Sequence, residues 1–142
     1  MNQALVHPTF IVNGVNQTPT WISGNDYYFA FISTSATNTV RFSQDLDCEV
    51  LIIGGGGGGG FEAGGGGGGG QALYYTNRSV SWKTGNAYKF TEGLYNVNVG
   101  TAGAKATAVS TVAGNGGTSS IINANTSTTV LQAIGGGGAG SK

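Results

Sequence analysis

One histidine, one cysteine and a ladder of carboxylates are the side chains in this 142-residue chain with the most scope for chemistry. His7 stands beside Pro8 with no acid near it in sequence, so a catalytic arrangement would have to be assembled from distant parts of the chain. Cys48 is the sole cysteine and excludes an intrachain disulfide, and one histidine cannot complete a metal site with it. It lies in the alternation Leu46-x-Cys48-x-Val50, where a small buried hydrophobe fits. Asp45, Asp47 and Glu49 recur with period two and share one strand face, an arrangement able to hold Ca²⁺ with carbonyl oxygens. The same alternation fits a solvated face opposite Leu46, Cys48 and Val50, and that reading is preferred. No catalytic, cofactor-binding or metal-ligating residue is assigned, and the chain is not expected to be an enzyme.

The aromatic residues offer a different chemistry. Tyr27, Tyr28, Phe61, Tyr74, Tyr75, Trp82, Tyr88 and Tyr95 include adjacent pairs, and on a strand one member of each pair faces outward. Exposed Tyr and Trp suit sugar stacking or a subunit interface; packing on a sheet surface is the equal alternative. Phe61, Gly57, Gly67, Tyr74, Tyr75 and Trp82 are the candidate interaction residues.

Charge narrows the function classes. Only 8% of residues are charged, against about 25% in ordinary soluble domains. Six cations balance six acids with no basic patch, which removes the usual basis for nucleic-acid binding. No stretch approaches the ~20 apolar residues of a membrane-spanning helix, so membrane insertion is not expected. The first residues lack a charged region and a long apolar core, so no secretory signal is read there. A surface of Thr, Ser, Asn, Gln and Gly without such a signal points to a virion or extracellular fibre, released by lysis. The expected partners are other copies of the chain and other virion proteins, with a host surface receptor as a further candidate.

The elements that must position these residues are strands. Helix formers are sparse, while β-branched and aromatic residues are punctuated by Gly. Strands are expected at residues 10–12, 26–33, 39–42, 47–53, 72–75, 79–82, 87–91, 95–99, 121–122 and 129–134, and Asn13-Gly14 reads as a turn. Lys83 to Asn86 and Glu92-Gly93 sit at hairpin spacing. The expectation is an all-β, antiparallel β-sandwich of about eight or nine short strands. Residues 1–25 would form an arm or connection and 26–142 the glycine-rich sandwich, the whole being one segment of a longer polypeptide.

Most of the 28 glycines fall in runs at 54–60, 64–70 and 135–138. Twice an apolar strand passes straight into polyglycine, at Ile53 and at Ile134. A dinucleotide fingerprint is rejected, because two long glycine runs cannot supply the helix that must follow, and no acid stands about 20 residues on. A flexible linker is one remaining reading. The other is packed, extended glycine: a three-fold polyglycine helix rises about 3.1 Å per residue, so each seven-residue run would span roughly 22 Å. Phe61-Glu62-Ala63 would then fold the first two runs back antiparallel, with the third beside them.

Tyr27-Tyr28-Phe29-Ala30-Phe31, Thr39-Val40-Arg41-Phe42 and Cys48-Glu49-Val50-Leu51-Ile52-Ile53 lead into glycine. Two glycine blocks, Leu73-Tyr74-Tyr75, the Tyr88 strand, Tyr95-Asn96-Val97-Asn98-Val99-Gly100 and Gly114-Asn115-Gly116-Gly117-Thr118-Ser119-Ser120 follow in order. From Tyr27 to Gly140 this order resembles the glycine-rich domains of bacteriophage tail fibres and adhesins, with relatives among structural proteins of large DNA viruses. The resemblance implies a virion structural or attachment role. Residues 101–112 depart from it, being poorer in glycine, and are expected to form a further strand.

Overall fold

In the computed structural model, which describes residues 7–141, the first element is a hairpin whose turn is made by Asn13 and Gly14. Asn13 and Gly14 take φ of 50° and 77°, the backbone a two-residue hairpin turn demands. They join β1 (Thr9–Val12) to β2 (Val15–Gln17). A second ribbon follows, β3 (Thr20–Ser23) with β4 (Asp26–Tyr28). The expected strand 26–33 ends at Tyr28. Beyond it the backbone finds no strand partner, and Phe29 and Phe31 instead pack against Phe10, with ring centroids 4.7 and 6.0 Å away.

The remaining strands are β5 (Asn38–Phe42), β6 (Leu46–Cys48), β7 (Val50–Ile53), β8 (Ala72–Tyr75), β9 (Tyr88–Phe90), β10 (Gly93–Asn98), β11 (Ser119–Asn123) and β12 (Thr128–Ala133). The described residues are thus all-β, with twelve short strands in antiparallel pairs rather than the eight or nine expected. Six of them form a sheet in the order β12-β11-β10-β5-β1-β2, so part of the expected N-terminal arm belongs to this sheet. The ribbons β6–β9 and β7–β8 face it across one apolar cluster. Val40, Phe42, Tyr95, Leu131 and Ala133 of the sheet meet Ile52 and Phe90 of the ribbons there. Phe42 stacks on Phe90 at 4.6 Å and Tyr95 meets both rings edge-on. The Tyr95 hydroxyl donates to the Thr91 carbonyl at 3.0 Å, which satisfies the one polar atom of this aromatic core.

Residues 46–53 alternate inward and outward without interruption, as expected, yet they serve two ribbons: β6 pairs with β9 and β7 with β8. The apolar run at its end is not buried on both faces, since Leu51 and Ile53 are 60% and 53% exposed. Residues 79–82 form a turn and not a strand; the Val80 and Lys83 N–H groups donate to Arg78 and Val80 carbonyls, local contacts that take the place of a ladder there. Residues 101–112 are likewise not a strand.

The glycine runs are ordered. Five extended segments continue the strands outward as rods: 54–60 from β7, 64–70 into β8, 100–106 from β10, 113–117 into β11 and 135–140 from β12. A three-fold extended chain makes no internal hydrogen bonds, so every N–H and C=O points outward and residues three apart face the same side. Run 54–60 lies at the centre. Its Gly57 and Gly60 donate to Gly68 and Gly65 of run 64–70 at 2.8 Å each. Its Gly55 and Gly58 donate to Gly117 and Gly114 at 2.9 Å each. The Gly56 and Gly59 carbonyls accept from Gly103 and Ala106, and those of Gly55 and Gly58 from Gly136 and Ala139. The four outer segments also bond in sequence around the centre: Gly68 to Gly137, Gly116 to Gly136, and Gly114 and Gly117 to Ala104 and Thr101.

Most of these glycines are required by proximity, not by backbone angle. Positive φ among the described glycines occurs at Gly14, Gly24 and Gly93 alone, none of them in a run. This bonding has a direct signature in amide exchange. In dilute solution the Gly55, Gly57 and Gly58 amides should exchange slowly while Gly56 and Gly59, whose N–H groups meet no acceptor among the described residues, exchange quickly. Uniformly fast exchange from 54 to 60, followed residue by residue by NMR, would contradict the packed bundle.

Candidate functional site

Gly57 and Gly67, two of the sequence candidates, lie where the central run and its outer neighbour 64–70 meet, Gly57 half-buried and Gly67 exposed. A Cβ on Gly57 would collide with the Gly137 carbonyl, and one on Gly67 with the Gly57 carbonyl. Both obstacles are backbone and cannot swing aside. Phe61 sits at the distal tip, half-buried, its N–H donating to the Ser141 hydroxyl at 2.8 Å. The reversal there depends on Glu62, whose φ of 50° is left-handed. Lys105, Ala106 and Thr107 border the same shallow depression as Phe61 and Glu62.

Tyr74, Tyr75 and Trp82 lie at the other end of run 64–70, roughly 20 Å away by the rise of an extended chain. Phe61 and this trio therefore make two places, not one. Cross-strand register sets Tyr74 opposite Leu51, and Ala72 opposite Ile53, on the outward face of β7–β8. Trp82 stacks on Tyr74 at 4.9 Å and stays 69% exposed. Tyr75 turns inward and packs at the margin of the core.

Loop 76–87 holds Trp82 in place through polar contacts that the sequence did not single out. The buried Thr76 hydroxyl donates to Glu49 Oε1 at 2.7 Å and accepts from the Arg78 N–H at 3.0 Å. Arg78 Nε reaches the same carboxylate oxygen at 2.8 Å, and the Tyr74 hydroxyl donates to Oε2 at 3.2 Å. The Thr84 hydroxyl accepts the Tyr74 N–H at 2.9 Å. Glu49 is thus committed to structure, as is Asp45, whose carboxylate accepts the Glu92 N–H. Among the described residues no group of His, Cys, Asp and Glu is arranged to hold a metal ion. Cys48 is half-buried, and desolvation, with the Asp47 charge adding to it, pushes its thiol up to about 11; the thiolate that would react is suppressed.

The junction between sheet and bundle has its own polar clasp. Buried Ser119 donates to the Ile53 carbonyl at 2.6 Å and accepts the Gly100 N–H at 2.9 Å, tying three strand ends together where they become rods. Gln71 performs the matching task at the start of β8, its side chain accepting the Ile134 N–H at 3.1 Å. The signal available in sequence was position: Gln71 is the polar residue between glycine and strand, and Ser119 is one of three, Thr118 to Ser120, at such a border.

Two predictions follow from this geometry. Gly57→Ala should destabilise the fold at or beyond the upper end of the ~1–3 kcal/mol typical of overpacking. Gly66→Ala, where a Cβ meets nothing, should stabilise it by ~0.4–1 kcal/mol through the unfolded chain; urea denaturation of the two variants separates them. The Thr76 hydroxyl first, then Arg78 and Tyr74, hold the Glu49 carboxyl below its ordinary value of 4.5 against a smaller opposing effect of burial. Because the unfolded chain then binds the proton more tightly, this contribution is present above 4.5 and fades as pH falls through the folded value. The difference in melting temperature between the native chain and Glu49→Gln should accordingly shrink on acidification, and a difference independent of pH would refute the assignment.

No curated protein and no solved structure matches the chain significantly. A family model for a glycine-rich domain matches residues 33–142, which covers β5 to β12 and all five rods. With the match spanning well over half its length, the chain belongs to the glycine-rich domain family.

Proposed function

We propose that this chain is a non-enzymatic structural and assembly module of a virion, a component of a fibre, tail or minor capsid structure. The observation that carries the reading is the outward face of β7–β8, where Leu51, Ile53 and Trp82 are 60%, 53% and 69% exposed beside a rigid bundle. A contiguous apolar face of this kind marks a protein contact more often than a free surface, and with only 8% charged residues the rest of the chain does little to oppose close packing. The partners in this reading are other copies of the chain and other virion proteins, and its place is the virion or an extracellular fibre. Leu51→Glu combined with Ile53→Glu tests it. Both side chains point away from the core, so the variant should melt like the native chain yet fail to enter assembled particles. Incorporation at the native level would defeat the reading.

A second reading is favoured by the stack of Trp82 on Tyr74: a receptor-binding adhesin that meets a cell-surface glycan or outer-membrane protein. One indole face is left open to a flat ligand, and aromatic platforms of this type bind sugars and protein surfaces alike. Trp82→Ala and Phe61→Ala particles that assemble normally but no longer attach to cells would favour the adhesin over the assembly module.

A further inference from the structure

The rods leave one lane of their hydrogen-bonded array open. Around the central run the neighbours follow the order 64–70, 135–140, 113–117, 100–106, each bonded to the next. Between 100–106 and 64–70 no bond closes the ring among the described residues. Along that side the central run has the unmet N–H groups of Gly56 and Gly59, spaced by the three residues that make them face one way. Run 64–70 donates from Gly64 and Gly68 alone, and among its unmet N–H groups Gly66 and Gly69 have the same spacing.

Steric need within one chain does not account for glycine at these four positions. A Cβ on Gly59, Gly66 or Gly69 would meet nothing within 4 Å, and one on Gly56 only the Gly68 carbonyl at 3.9 Å. Segment 100–106 is the internal comparison. It keeps glycine at Gly100 and Gly103, where a Cβ would collide with backbone, and carries exposed Thr101, Ala102, Ala104 and Lys105 elsewhere. One glycine in three is therefore enough for a peripheral rod. Run 64–70 has glycine throughout, although each glycine costs about 0.5–1 kcal/mol relative to alanine in regular structure.

We infer that the open lane is filled by run 64–70 of a second copy of this chain, in a two-fold symmetric pair. Each outer run then lies against both central runs, and the unmet donors of one copy face the bare carbonyls of the other. Only a chain without Cβ atoms on the contacting side can approach at the spacing the internal rods use, and besides the central run the one rod free of side chains along its whole length is 64–70. An isologous contact follows, because lane and occupant adjoin on the same surface. This inference rests on the assembly reading and names its partner and contact.

Sedimentation equilibrium of the full chain tests it, with Gly59→Leu plus Gly66→Leu as the variant and Thr129→Leu, on an exposed sheet position, as the control. The native chain and the control should dimerise, and the double variant should dimerise at least about tenfold more weakly with a monomer melting temperature no lower than the native one. In the native chain, Gly56 and Gly59 amide exchange should slow as concentration rises. A native chain that stays monomeric at millimolar concentration, or a double variant that dimerises as well as the native chain, overturns the inference. If that chain still enters particles, the assembly reading survives and this contact alone is lost.

Discussion

The backbone hydrogen bonding of run 54–60 is the constraint on which the rest of the molecule depends. An extended three-fold chain turns all of its donors and acceptors outward. It can leave water only if other backbones approach on several sides at once. Gly55 and Gly58 each donate to one rod and accept from another, while Gly57 and Gly60 engage a third. Such contact distances exclude a Cβ at most positions of the run, and so composition follows from bonding. A sheet satisfies its backbone in two directions and uses side chains for the third; here backbone meets backbone on four sides of one run.

That bundle would be hard to form alone, since extended glycine is entropically costly to order and brings no apolar side chains with it. The sandwich supplies the missing cohesion. Its core of Phe42, Phe90, Tyr95, Ile52 and Leu131 fixes β7, β10, β11 and β12 side by side, with β8 held to β7. Each of those strands then delivers one rod at a set position. Ser119 and Gln71 guard the transition, where strand ladders end and rod contacts begin.

Much of this was legible from sequence, for physical reasons that differ by element. The all-β architecture, β5, β8, β10, β11 and β12 followed from β-branched and aromatic residues punctuated by Gly, with clear period-two alternation at 39–42 and 95–99, and the three glycine runs from composition. Phe61 to Ala63 read correctly as the reversal between two runs. Rods 100–106 and 113–117 were missed because neither is an unbroken glycine run, and the informative signal was spacing by three at Gly100 and Gly103 and at Gly114 and Gly117. Residues 79–82 alternate like a strand, but their backbone is taken by a turn that seats Trp82 on Tyr74. The Glu49, Thr76 and Arg78 contacts join residues 27 and 29 positions apart, and nothing in the local pattern announces them. The candidates Phe61, Tyr74, Tyr75, Gly57 and Trp82 proved to be spread over a tip, a ribbon and a contact between two rods.

The collisions that meet a Cβ along the central run also bear on how such a chain can change over generations. Any base substitution that alters a glycine codon into another amino acid adds at least a methyl group. At Gly55, Gly57 and Gly58 even that smallest step meets a carbonyl oxygen of a neighbouring rod. Those sites have no mild alternative and drift there is closed, whereas the solvent-facing sites of segment 100–106 already carry Thr, Ala and Lys. Heritable variation is therefore channelled away from the axis of the bundle and onto its periphery and turns.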